Sequence, residues 1–266
     1  MNIVFDIGGT KMRVAAAEGI VLGEIQKVPT PHSPQEAIST LAALAKEEAR
    51  GRQIEHIAGG IAGVIKDGIL FWEPNLPGEW AGVHLADELT RALGAPARVV
   101  NDTALVGLGE AHEGAGKGKN LVVYITVSTG VGGARIDGGE IDHAVYGFEI
   151  GHQLVNGLDL EKQVSGTAVK NKFGIDPWDL DSLDERTKLA DILAHGLFNT
   201  TLHWSPNIIV LGGSMITGKN PIPLDRVEAT LTKMLYMYPH SPEMKMAALG
   251  DNGGLVGGAI LAAQMR

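Results

Sequence analysis

The chain has 266 residues, a formal net charge of −9, 44% hydrophobic and 20% charged residues, and no cysteine. These figures exclude disulfides, thiolate metal sites and the Lys/Arg-rich face that a nucleic-acid backbone requires, and no apolar run is long enough to span a bilayer. The length suits two lobes better than one core, and a strand that opens by residue 3 leaves no room for a signal segment, so a cytoplasmic protein with neither nucleic-acid nor membrane partners is expected.

In chain order, residues 2–14 (Asn-Ile-Val-Phe-Asp-Ile-Gly-Gly-Thr-Lys-Met-Arg-Val) read as a strand, a glycine-rich turn and a second strand. Pro29 to Pro34 is a loop that ends in a helix start. Ser33 stands at the N-cap, Pro34 at the first helical position, and Glu36 completes a capping box; Ile38, Leu41, Leu44 and Ala45 line one face and Gly51 is the stop. A glycine-rich strand follows over about 57–64, and the breaker-rich stretch Glu73–Trp80 reads as an exposed loop. A helix over Leu85–Leu93, a strand ending at Val100 and a helix from about Thr103 to His112 come next. Residues 120–136 repeat the strand, turn, strand layout of the start. After it come a turn at Asp137–Glu140, the segment Gly147-Phe-Glu-Ile-Gly-His152, a helix over Gly166–Phe173 and a long helix over Glu185–His203. A buried strand over Asn207–Leu211, a helix over Asp225–Tyr236 and a small-residue helix over Gly253–Met265 complete the chain. Strands alternating with helices predict α/β architecture with both sheets covered.

The duplicated hairpin carries the functional argument. Glycine lets a backbone approach an anion closely, and the N–H groups of such turns, with the hydroxyls of Thr10, Ser128 and Thr129, can donate to phosphate oxygens. Two similar lobes closing on a nucleotide are therefore expected: 1–117 with the first hairpin, 118–249 with the second, and a terminal helix of about 250–266 packing back on the first. Asp6, at the end of a buried strand before Gly8, Gly9 and Thr10, either orients Mg²⁺ beside the phosphates or caps a tight turn. Thr129-Gly130-Val131-Gly132-Gly133 is not a dinucleotide fingerprint, because its third glycine position is Arg135 and a strand follows; no Walker pattern occurs either.

Asn101-Asp102 falls where a strand gives way to a helix, the usual place for ligands in α/β sheets, and Asp102 also suits an N-cap. Asn75, Glu149, His152 and Glu161 are carboxylates, an amide and an imidazole on loops or element ends, the groups that pair with sugar hydroxyls. Glu149 and His152 are spaced as half of a metal site, but no matching half accompanies them. Gly212 and Gly213, in Leu211-Gly-Gly-Ser-Met215, either back an adenosine or form a tight strand-to-helix connection.

Taken together, Asp6-Ile-Gly-Gly-Thr-Lys11, Pro74-Asn-Leu-Pro-Gly-Glu-Trp80, Asn101-Asp102, Ser128-Thr-Gly-Val-Gly-Gly133, Glu149-Ile-Gly-His152, Glu161 with Ser165-Gly-Thr167, Leu211-Gly-Gly213 and Gly253-Gly-Leu-Val-Gly-Gly-Ala259 resemble the ROK family of bacterial sugar kinases and repressors, within the actin/hexokinase-type ATPase superfamily. The resemblance implies two ribonuclease-H-like lobes with a nucleotide cleft. It implies Asp102 as catalytic base, Asn75, Asn101, Glu149, His152 and Glu161 as sugar contacts, and Asp6, Gly8, Gly9, Thr10, Lys11, Ser128, Thr129, Gly130, Gly132, Gly212 and Gly213 as ATP and Mg²⁺ contacts. It also implies a homodimer. Family members carry a Cys-x-Cys-Gly-x-x-Gly-Cys zinc segment between the matches of His152 and Glu161; Gln153–Leu160 replaces it here without cysteine, so no zinc site is expected. The family's repressors carry an extra N-terminal helix-turn-helix domain, whereas this chain is expected to start directly in the kinase lobe. The expected activity is ATP- and Mg²⁺-dependent phosphorylation of a hexose primary hydroxyl, the 6-OH of glucose first, with fructose, mannose, N-acetylglucosamine and N-acetylmannosamine as alternatives. A non-catalytic sugar sensor predicts binding without ADP formation, and an actin-like ATPase predicts hydrolysis without sugar and leaves the polar set unexplained.

Overall fold

The computed structural model describes residues 1–73, 75–142 and 144–265. Pro74, at the head of the predicted loop motif, and Arg266, at the end of the predicted terminal segment, lie outside the described residues. In chain order the elements are β1 (Asn2–Ile7), β2 (Lys11–Glu18), β3 (Val21–Leu22), β4 (Gln26–Pro29), α1 (Pro34–Ala49), β5 (Ile57–Ile61), β6 (Val64–Lys66), β7 (Ile69–Trp72), α2 (Leu85–Leu93), β8 (Ala97–Asn101) and α3 (Asp102–Glu113). They continue with β9 (Leu121–Val127), β10 (Val131–Asp137), β11 (Glu140–Ile141), β12 (Leu154–Val155), β13 (Leu158–Asp159), α4 (Glu161–Val164), α5 (Gly166–Phe173), α6 (Leu183–Trp204), β14 (Ile208–Gly212), α7 (Ser214–Thr217), α8 (Leu224–Met234), β15 (Glu243–Met246) and α9 (Gly253–Gln264).

The chain divides into two compact units. The first holds Met1–Glu113, Ile141–Gly147 and the residues from Leu249 onward, and the second holds Gly114–Glu140 and Phe148–Ala248. In the first, the sheet order is β3-β2-β1-β5-β8, with β4 also on β2; β1 runs antiparallel to β2 and parallel to β5, which is parallel to β8. In the second, the order is β11-β10-β9-β14-β15, with β9 antiparallel to β10, parallel to β14, and β14 parallel to β15. The two units thus repeat one core pattern, a hairpin followed by two parallel strands. Parallel neighbours need crossovers, which explains why helices alternate with strands after each hairpin.

Side-chain alternation fixes what each face of the first sheet does. Ile3, Phe5, Ile7, Met12 and Val14 pack with Ile38 and Leu41 of α1 and Leu85 and Leu89 of α2. Val4, Ala15 and Ala17 point the other way, onto Leu255 and Ala259 of α9. By the same parity Asp6 and Arg13 lie on the α9 face. The glycines of α9 allow this approach, since a methyl at Gly257 would collide with the Leu105 carbonyl of α3. In the second unit Val123, Ile125, Leu211 and Ile209 form the core with Leu189, Leu193 and Leu197 of α6 and Val227 and Leu231 of α8.

Several local expectations are corrected. Ser33 occupies the N-cap of α1, but its side chain makes no capping hydrogen bond. Pro34 presets the first helical φ and brings no N–H to satisfy, so the helix starts without the capping box. The predicted strand over 57–64 ends at Ile61, because Gly63 turns at φ 113 and a hairpin of β6 and β7 follows. The loop after β7 is not simply exposed. Trp80 is fully buried, donates through Nε1 to the Pro77 carbonyl at 2.9 Å, and its amide donates to Glu73 Oε1 at 3.1 Å. Among the described residues no helix is long and apolar enough to cross a membrane.

Candidate functional site

In the first unit the β1–β2 turn, the end of β8 and the loop after β7 meet. Gly8 closes the turn by donating to the Lys11 carbonyl at 3.0 Å, and Thr10 and Lys11 are exposed. A methyl at Gly9 would collide with the backbone carbonyl of Asn75, so the glycine is what lets the Asn75 loop seat on the turn. Asp6 lies at the head of this turn. Burial raises its pKa to about 6, the neighbouring Asp102 carboxylate adds to the rise, and Arg13 opposes it. Arg13, directly across the ladder from Asp6, places Nη2 3.4 Å from Asp6 Oδ2 and donates through Nη1 to the Asp251 carbonyl ahead of α9.

The reading of Asp102 as an N-cap is corrected. Asn101 caps α3, its Oδ1 accepting from the Ala104 amide at 3.1 Å, while Asp102 is the first helical residue. Asn101 also donates through Nδ2 to the Gly63 carbonyl at 2.9 Å, which ties the end of β8 to the turn entering β6. Asp102 Oδ1 accepts from its neighbour, the Thr103 amide, at 2.7 Å. Burial pushes the Asp102 carboxyl up, against those hydrogen bonds from Thr103. The structure therefore brings together Asp6, Gly8, Gly9, Thr10, Asn75, Asn101 and Asp102, with Asn101 committed to positioning bonds. Two adjacent carboxylates disfavouring their own charge form a hard-oxygen donor set. Among the described residues no cluster of three His, Cys, Asp or Glu could enclose a metal. That set fits Mg²⁺, which takes one or two carboxylates and completes its shell with water and substrate phosphates, and it does not fit a protein-enclosed zinc.

In the second unit the β9–β10 turn is the centre. The Ser128 amide donates to the Gly130 carbonyl at 2.8 Å, and Ser128 Oγ lies 3.1 Å from Ser214 Oγ at the start of α7. Gly132 sits within β10 opposite Thr126, not in the turn itself. Gly213, at φ 89, abuts the Val127 carbonyl, and a methyl at Gly212 would lie 2.5 Å from Tyr124 Oη. Tight packing on β9 thus accounts for both glycines, and Ser214 is a hydroxyl at the turn that the sequence reading passed over.

Val131 organises the polar set. Its amide donates to Glu161 Oε2 at 2.8 Å, and its carbonyl abuts Gly151 in the short 3-10 helix Ile150–His152. Glu161, His152 and the exposed Glu149 are thereby gathered beside the second turn. His152 Nδ1 lies 3.3 Å from Asp159 Oδ2, and the Lys162 ammonium, then His152, hold the Asp159 carboxyl below its usual range. Asp159 was not anticipated. Its placement comes from the hairpin of β12 and β13, closed by Asn156 at φ 53 and Gly157 at φ 80. An Asn-Gly pair is the strongest short hairpin signal in a sequence, so the signal was present.

The glucokinase of Streptomyces coelicolor is 26% identical over 312 residues, covering 98% of this chain and 97% of that protein. The solved ROK hexokinase of Thermus thermophilus shares 26% identity at a TM-score of 0.87, covering 99% of this chain and 98% of its own. A ROK family glucokinase from Streptomyces griseus, solved with glucose and AMPPNP, shares 26% identity at a TM-score of 0.79, covering 99% of each chain. The fold is accordingly the two-lobe actin/hexokinase type. The ROK family pattern matches residues 2–265, and the chain belongs to the ROK family.

Proposed function

We propose that this protein is an ATP-dependent sugar kinase that transfers the γ-phosphoryl group to a primary hydroxyl of a hexose, glucose to glucose 6-phosphate first. The observation that carries this reading is the partly buried Asp102 carboxyl at the carboxyl end of β8, beside Asp6 and the glycine turn. A carboxylate whose affinity for a proton is raised by burial is suited to general-base work. Asp102 accepts the hydroxyl proton as that oxygen bonds to the γ-phosphorus and the bond to the bridging oxygen breaks, releasing ADP. Asn75, Glu149, His152 and Glu161 bind ring hydroxyls, with Asp159 orienting the His152 ring. The turns Gly8–Lys11 and Ser128–Gly130 hold phosphates through amides and hydroxyls. Mg²⁺, held by Asp6 directly or through water, neutralises charge on the phosphates when bound.

Similarity to glucokinases along nearly the whole chain supports glucose as the first substrate to test. A coupled ADP-release assay over glucose, mannose, fructose, N-acetylglucosamine and N-acetylmannosamine tests the reading. Glucose should give the highest kcat/KM; hexose binding without ADP release would assign the protein to the non-catalytic sensors instead.

A further inference from the structure

Each glycine turn is tied from behind by a threonine hydroxyl that belongs to neither of its strands. In the first unit Thr30 Oγ1 donates to the Gly8 carbonyl at 2.6 Å, and the Thr30 amide donates to the Thr10 carbonyl at 3.1 Å. In the second unit Thr167 Oγ1 donates to the Thr129 carbonyl at 2.8 Å, and the Thr167 amide reaches the same oxygen at 3.3 Å. Thr30 follows β4, and Thr167 sits in the first turn of α5. The two units therefore repeat not only a turn but a device that grips one of its carbonyls.

A trans peptide is planar, and its C=O and the N–H of the next residue point in opposite directions. Gripping the Gly8 carbonyl turns the Gly9 N–H away from Thr30, and gripping the Thr129 carbonyl turns the Gly130 N–H away from Thr167. Among the described residues neither amide has an acceptor. Two outward amides on glycine turns are donors in search of an anion.

We infer that Thr30 and Thr167 are paired positioning residues that aim the Gly9 and Gly130 amides at the phosphate oxygens of the nucleotide. This deepens the kinase reading and rests on its assignment of both turns as phosphate sites. The two threonines are not equivalent. Thr30 is 8% exposed and Gly8 half-buried, so losing the hydroxyl leaves the Gly8 carbonyl without that partner where water has limited access. Thr167 is exposed, and its own amide still holds the same carbonyl when the hydroxyl is gone.

The test is calorimetric titration of the full chain with AMPPNP in Mg²⁺, and separately with glucose, for Thr30→Val, Thr30→Ser, Thr167→Val and Thr167→Ser. Thr30→Val should weaken AMPPNP about tenfold and Thr167→Val about twofold, in line with a part-buried against a water-accessible hydrogen bond. Each serine variant should restore affinity, because the hydroxyl returns, and glucose affinity should move less than AMPPNP affinity in every variant. Unchanged AMPPNP affinity in both valine variants overturns the inference. So does a loss that serine fails to restore, or an equal loss for glucose, since those mark a merely structural role. A wild-type protein that binds AMPPNP but releases no ADP with any hexose defeats the kinase reading and leaves the aim of the amides intact; no AMPPNP binding at all defeats both.

Discussion

Asp6 and Asp102 place one residue type in two different surroundings. Both carboxyls are raised by burial, but Asp6 faces Arg13 and the first turn of α9, whereas Asp102 is held by the Thr103 amide at the mouth of α3. For the proposed base, Asp102→Asn should lower kcat by about 10²–10⁴-fold with hexose affinity nearly kept, measured by coupled assay and calorimetry. For Asp6 the consequence is a stability that depends on pH. Its folded pKa of about 6 lies above the unfolded value of about 3.9, so the folded state holds the proton more tightly. The stability that proton binding contributes is complete below about pH 4 and is lost as pH rises through about 6. Asp6→Asn in metal-free buffer should therefore raise Tm at alkaline pH, by the equivalent of up to about 3 kcal/mol, and give no gain at about pH 4. Thermal melts across that range check it; a gain independent of pH would contradict the assignment.

At the scale of elements, glycine turns and small hairpins decide which side chains meet. The loop after β7 combines a fully buried Trp80 anchor with an Asn75 backbone seated on Gly9, so Asn75 is presented beside the first glycine turn by packing alone. The hairpin of β12 and β13 works similarly for Asp159, which its Asn-Gly turn folds back toward His152. A histidine bonded through Nδ1 to a carboxylate has its ring orientation fixed. Asp159→Ala should accordingly raise the KM for hexose by about threefold, with kcat less affected, the modest size reflecting an ion pair open to water. Steady-state kinetics at saturating ATP measures it, and an unchanged KM would remove Asp159 from that task.

At the scale of the whole molecule, the repeated sheet pattern is the main economy of the fold: one hairpin plus two parallel strands, used twice, gives two glycine turns. The chain also has no cysteine zinc segment of the kind the ROK resemblance implies, and the short Gln153–Leu160 connection forms a hairpin in its place. Purified protein should therefore carry no stoichiometric zinc by elemental analysis. A zinc-selective chelator, with Mg²⁺ in excess, should leave turnover unchanged. Loss of activity that zinc restores would show that a metal site exists after all.

The sequence by itself determined the α/β class, the order of the principal elements and both glycine turns, because hydrophobic period, glycine placement and hydroxyl content are local properties. It also singled out Asp6, Asn75, Asn101, Asp102, Glu149, His152 and Glu161 as candidates. Tertiary structure alone decided which partners those residues meet. Asn101 rather than Asp102 caps α3, Glu161 accepts from the Val131 amide, and Arg13 neutralises Asp6 from across the ladder. Thr30 and Thr167 grip the two turns from elements 20 or more residues away. The reason is physical: a hydrogen bond between distant segments depends on sheet register and on where loops pack, and neither leaves a periodic trace in the chain.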